Sequence, residues 1–183
     1  GCRGCPLEHL GEGFLSLDGE GYYSVLIVGE AAGEQEAESS RPFMGPSGKQ
    51  LQEAINWAGL QRAGFFISNA ILCRPPMNVL HGASYEAGAL AHCYQVHLKP
   101  LIEKLKPKVI LPLGATATQV LLGYTNILKV RGYVYRYPND ILVLPSIHPA
   151  FIVRGNTKYI QVLVHDLQRA VELARDGWHP PTT

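Results

Sequence analysis

Four short runs rich in Val, Ile, Leu and Phe, at residues 24–28, 65–72, 108–113 and 141–144, constrain this chain more than any other feature. Each is nearly continuous in its apolar character, as strands buried on both faces of a parallel sheet are. Parallel neighbours need crossover connections, and helical patterns stand between the runs. Leu51, Ala54, Ile55 and Ala58 share one face of a helix expected over residues 47–57, which Gly59 stops. Leu90, Tyr94, His97, Leu101 and Leu105 recur every three to four residues in a helix expected over 84–105 and ended by Pro107. A short helix should follow Gly114. A last one, over 157–174, carries Ile160, Leu163, Val164, Leu167, Val171 and Ala174 on one face. This alternation predicts an α/β fold of three layers (αβα) with a central, mainly parallel four-stranded sheet. With 183 residues, 46% of them hydrophobic, and no internal repeat, the expectation is a single domain over 1–183.

Open parallel sheets bind ligands outside the carboxyl ends of their strands. The residues at those ends are Gly29-Glu30-Ala31-Ala32-Gly33, then Asn69 and Cys73-Arg74-Pro75-Pro76, then Gly114, then Ser146-Ile147-His148-Pro149. A carboxylate, an amide and an imidazole therefore converge on one edge. Asn69 stands inside an apolar strand, where its amide must be hydrogen-bonded or destabilise the fold. Two familiar motifs fail. Gly45-Pro46-Ser47-Gly48-Lys49-Gln50 has Phe43 and Gln50 where a phosphate loop needs Gly and Ser or Thr. Residues 29–33 lack dinucleotide-binding spacing, and Glu30 would repel phosphate.

Four cysteines, Cys2, Cys5, Cys73 and Cys93, argue for a metal over disulfides in a reducing compartment, and the C-x-x-C spacing of Cys2 and Cys5 aims two thiolates at one point. The run of apolar residues that a bilayer span needs is missing, as is the apolar middle of a signal peptide, so a cytoplasmic protein without membrane attachment is expected. A net charge of +1 exerts no general pull on a polyanion. Affinity for nucleic acid would have to come from a local patch such as Lys129, Arg131, Arg136 and Arg154.

In order along the chain stand Cys2-x-x-Cys5, Gly29-Glu30-Ala31-Ala32-Gly33-x-x-Glu36, Arg41-Pro42-Phe43-Met44-Gly45-x-x-Gly48, Asn69, Cys73-Arg74-Pro75-Pro76, Cys93 and His148-Pro149-Ala150. This series resembles the family 4, iron–sulfur uracil-DNA glycosylases over nearly the whole length. One such motif is weak evidence; six in order are specific. The resemblance implies a monomer acting in base-excision repair on uracil-containing DNA, with a [4Fe–4S] cluster on Cys2, Cys5, Cys73 and Cys93. Because Cys2 is so close to the first residue, native residues upstream are expected. The same resemblance gives Glu30 the attacking water and His148 the negative charge that grows on the leaving base. Phe43 would stack on the flipped uracil and Asn69 would read its edge. Ala31, Gly33 and Glu36 would complete the pocket, with Glu36 crowding the C5 side against thymine. Phe151 or Ile152 would wedge into the stack and Arg154 would meet phosphate. The chain departs from the family pattern at Ala32, where Pro is usual. Related subgroups act on other deaminated bases or attach covalently to DNA through a histidine in an additional basic loop; the candidate region here, Lys129-Val130-Arg131-Gly132-Tyr133-Val134, is no such insertion. A DNA-binding member of the fold that does not cleave, or that recognises another deaminated base, also fits these residues. An iron–sulfur electron carrier fits less well, since it leaves Asn69 and His148 unexplained.

Overall fold

The structure, a computed structural model, describes residues 2–179. Its sheet runs in the order β2-β1-β3-β5-β4, with β1 at Val25–Gly29, β2 at Phe66–Asn69, β3 at Val109–Pro112, β4 at Tyr135–Tyr137 and β5 at Ile141–Val143. The four apolar runs supply β1, β2, β3 and β5, all mutually parallel. The fifth strand corrects the expected count of four. β4 pairs antiparallel with β5 through a hairpin whose Asn139 and Asp140 take left-handed backbone. It escapes the pattern because Tyr135-Arg136-Tyr137 is a half-exposed edge with no apolar run.

Side chains alternate across this sheet, so each strand feeds two cores. Val25 and Ile27 of β1, with Val109 and Leu111 of β3, pack against Leu51 and Ile55 and against Leu163 and Leu167. The first pair lies on α2 (Pro46–Trp57) and the second on α8 (Ile160–Asp176). Leu26, Val28 and Ile110 face the other way, onto Leu98, Ile102, Ala117 and Leu121. Ile102 lies on α4 (Lys99–Leu105), Leu98 on the turn just before it, and Ala117 and Leu121 on α5 (Ala115–Leu122), while α3 (Glu86–Cys93) packs Ala89, Leu90 and Cys93 into a separate cluster with Leu7 and Ile71. The three-layer α/β architecture follows.

The helix expected over 84–105 is three pieces. A π-helical turn at Tyr94–Leu98 separates α3 from α4, because Pro100 has no N–H to give the preceding turn and the ladder must widen around it. Three short helices also lie outside the expected set: α1 (Glu34–Ser39), α6 (Ile127–Val130) and α7 (Pro149–Val153). They are too brief to show a 3.6-residue period. Among the described residues no helix is long and apolar enough to cross a membrane.

Candidate active site

The carboxyl ends of β1 and β2 and the segment after β5 border a cavity of about 430 Å³, and a neighbouring cavity of about 410 Å³ shares Glu30 and His148 with it. Glu30, Ala31, Gly33, Glu36, Phe43, Asn69 and His148 all line the first. Only one of the chain's seven histidines is in that lining, and it is the one that follows a buried strand.

Asn69 ends β2 and is 3% exposed, yet its Oδ1 has no hydrogen-bond partner. A buried carbonyl left unpaired is destabilising by roughly 1–3 kcal/mol, and in this cavity wall it is an acceptor free for an N–H donor that enters the cavity. Gly29 makes room for it. A Cβ there would sit 2.4 Å from Asn69 Oδ1 and 2.5 Å from Phe43 Cζ.

Phe43 is 7% exposed and holds a left-handed backbone at φ 54°, a strained state for an aromatic residue. Three contacts fix it. Arg62 donates to the carbonyl oxygens of Pro42, at 2.7 Å, and Phe43, at 3.4 Å. Gly48 lets α2 close against the loop, since a Cβ there would lie 1.9 Å from the Phe43 oxygen. Glu36 accepts from the Met44 and Gly45 N–H groups at 2.8 and 2.7 Å through Oε1, and from Gly33 N–H at 3.1 Å through Oε2. The Glu36 carboxylate is thus a clasp between two loops, and it shapes the cavity through the backbone it holds. Ala32, a buried part of this wall, lacks the ring that would stiffen the turn; the hydrogen bond from the Gly33 N–H to Glu36 restrains the next residue.

His148 caps α7, its Nδ1 accepting from the Ala150 N–H at 3.0 Å. Occupying Nδ1 as an acceptor puts the proton of the neutral ring on Nε2. Burial pushes the imidazole down to about 4, against the pull of the Glu30 charge and with a further push from Arg154. At neutral pH it is a neutral donor. Its ring lies 5.9 Å from that of Phe43, tilted by 32°.

One of the DNA-contacting expectations needs correction. Ile152 is 2% exposed, packed into the core with α2 and α8, because α7 is a helix and turns this residue inward. Phe151 is half-buried with its ring edge-on to Tyr159 at 5.0 Å. Val153, 46% exposed at the end of the same helix, is the outward-facing apolar group. Arg154 lines the second cavity. Arg131 is turned onto the fully buried Asp166 at 3.4 Å, and Arg136 onto Asp140 at 3.5 Å, so each of these two charges is offset by a carboxylate of the chain itself.

Several residues at the site escape sequence reasoning. Thr116 donates to Glu30 Oε2 at 2.6 Å and His81 Nε2 lies 3.1 Å from the same oxygen. Thr116 follows Gly114 at the end of β3, so the strand-end rule could have found it; His81 lies on an irregular loop with no signal. Ser146 donates to Asp166 at 2.5 Å and fastens the segment leading to His148.

The four cysteines come together in one apolar cluster with Leu7, Ile71, Ala89 and Leu90. Cys5 and Cys93 are buried, Cys2 and Cys73 half-buried. Burial, then the neighbouring thiols, push Cys73 up to about 12; burial foremost pushes Cys93 up to about 11. Four thiolates in such surroundings require a compensating cation. Among the described residues no three Cys, His, Asp or Glu side chains close around a single metal ion.

Comparison with known proteins agrees with this arrangement. The profile of the "Uracil DNA glycosylase superfamily" matches residues 20–168. A "Type-4 uracil-DNA glycosylase" of Sulfurisphaera tokodaii is 34% identical over 94% of this chain and 80% of its own. Those of Thermotoga maritima and Saccharolobus solfataricus are each 33% identical, over 92% and 93% of this chain and 87% and 81% of theirs. Fold, cavity and sequence together place the chain in the uracil-DNA glycosylase superfamily, among its type 4 members.

Proposed function

We propose that this protein is a uracil-DNA glycosylase, which takes uracil out of the DNA stack and hydrolyses its bond to deoxyribose. The observation that carries this reading is the unpaired Oδ1 of Asn69, buried in a cavity whose wall also holds Phe43 and the neutral His148. A buried amide oxygen accepts the N3–H of uracil, whereas cytosine presents a lone pair at that position and is rejected. Phe43 offers the flipped ring its face. The loops clasped by Glu36 close the C5 side. The adjoining cavity at Glu30 and Arg154 suits the sugar and phosphate.

In the reaction the C1′–N1 bond breaks with its electron pair leaving on uracil, and the oxygen of water bonds to C1′. Glu30 takes the water's proton and offsets positive charge on the sugar. His148 donates its Nε2–H to the O2 of uracil, where negative charge grows, and keeps that proton. Its lowered pKa suits this role, because a neutral donor stabilises the anion without transferring a proton to it.

The four cysteines fit a [4Fe–4S] cluster by donor set and by grouping, and the cluster's positive core would offset the thiolate charge that burial makes costly at this place. The cluster would tie residues 2–11 and the segment after Asn69 to α3. Its contribution is cohesion of these irregular stretches.

A single-uracil oligonucleotide incubated with the protein and then heated in alkali tests the proposal. Scission at the uracil is expected. Retention of the oligonucleotide without scission would make the protein a non-cleaving binder.

A further inference from the structure

Glu30 does not face the cleft alone. Both hydrogen bonds to its carboxylate, from Thr116 Oγ1 and from His81 Nε2, fall on Oε2. The other nitrogen of His81, Nδ1, lies 3.1 Å from Glu86 Oε1, and Glu86 Oε2 accepts from the Gly82 N–H at 2.8 Å. His81 therefore stands between two carboxylates, and each is an acceptor when ionised. An imidazole that donates on both sides carries both protons. Burial opposes that charge, but the hydrogen bonds His81 donates to Glu86 and Glu30, with the charges of both carboxylates, outweigh it and raise the imidazole above its ordinary value.

We propose that His81 is a positioning residue for the catalytic carboxylate: as an imidazolium clamped by Glu86, it pins Oε2 of Glu30, so that Oε1 is the oxygen presented to the attacking water. This rests on the glycosylase reading of Glu30. Two donors on one oxygen remove the rotation that would exchange Oε1 and Oε2, and such orientation of a general base is a recognised route to rate. Glu86 belongs to the first turn of α3, whose last residue is Cys93, so the clamp is anchored on the helix that joins the cysteine cluster. The other ionisable groups lining the two cavities are Glu34, Glu36, His148 and Arg154; none is hydrogen-bonded or ion-paired to His81, whose partners are Glu30 and Glu86.

The sign of the pH effect follows from the raised pKa. The ion pair is complete below the folded pKa of His81 and is lost as pH rises through it. Single-turnover cleavage of uracil-DNA by the wild type should therefore step down on the alkaline side of the ordinary histidine range. His81→Ala should cleave about tenfold more slowly at pH 7, the scale of one charge-assisted hydrogen bond, and lack that step. Its affinity for DNA carrying a non-cleavable uracil analogue should be unchanged. His81→Gln, whose amide can still donate to Glu30, should recover much of the rate but no alkaline step. Imidazole NMR of the DNA-free protein provides a readout independent of cleavage: the His81 resonance should titrate above 6.5 in the wild type and shift down in Glu86→Gln. Cleavage by His81→Ala at the wild-type rate with the same pH profile, or an ordinary His81 titration indifferent to Glu86→Gln, would overturn the positioning role while leaving the glycosylase intact. A wild type inert on uracil-DNA would sink both readings. A denaturation-resistant protein–DNA adduct that disappears in His81→Ala would replace positioning with attack of the imidazole on C1′.

Discussion

Replacing His148 with Ala removes one donor and tests whether that donor acts on developing charge. The Ala150 N–H occupies Nδ1 at 3.0 Å, which fixes the tautomer and leaves Nε2–H as the only donor of the ring. A single donor aimed at an oxyanion in a recessed site contributes about 3–4 kcal/mol to the transition state, or roughly a hundred- to thousandfold in rate. The same donor faces a weakly charged carbonyl in the ground state, where its contribution is about 1 kcal/mol. His148→Ala should therefore lower single-turnover cleavage by at least about a hundredfold while weakening binding of a non-cleavable uracil analogue less than about tenfold. Because burial holds this imidazole down near 4, it stays neutral from pH 5 upward and should add no inflection to the rate there. The stability consequence has the opposite sense to that of a salt-bridged histidine. A folded pKa below the unfolded 6.5 means that stability is complete above about 6.5 and falls as pH drops toward 4, where the unfolded chain binds the proton first. Rate and affinity lost in equal proportion, or cleavage at the original rate, would refute the leaving-group role. Either result would leave His148 as the cap of α7 and no more.

Asn69→Asp should slow uracil release by about tenfold or more, because a carboxylate facing O4 repels it and desolvation makes the charge costly; oligonucleotide cleavage assays with uracil and cytosine substrates would show the loss and any new activity on cytosine. Cys73→Ser should abolish the brown colour of protein purified without oxygen, reduce iron from about four atoms per chain, and lower the melting temperature, which absorbance, iron analysis and thermal denaturation would measure. Asp166→Ala should destabilise the fold by about 3 kcal/mol, since it strands Ser146 and the partly buried Arg131; for a chain of this size the melting temperature should fall by about 6–12 °C.

Strand-forming runs buried on both faces are written in consecutive residues, so β1, β2, β3 and β5 and the three-layer arrangement were legible from sequence alone. The residues at the strand ends followed, because chain direction in a parallel sheet puts Glu30, Asn69 and His148 on one edge. Local chemistry also marked the cysteines. What lay beyond the sequence was whatever depends on contact between distant segments. β4 exists only as a partner for β5. The π-turn before α4 reflects how the ladder absorbs Pro100. Ile152, expected with Phe151 as one of two candidates to wedge into DNA, is a core residue, because the short helix α7 rotates it onto α2 and α8. The charge of Arg131 is directed inward by Asp166, 35 residues away. His81 is a loop residue like many others until folding brings it 3.1 Å from Glu30, 51 positions earlier. Periodicity encodes which face of an element is buried. Which side chains then meet across a cleft is decided only when the elements pack.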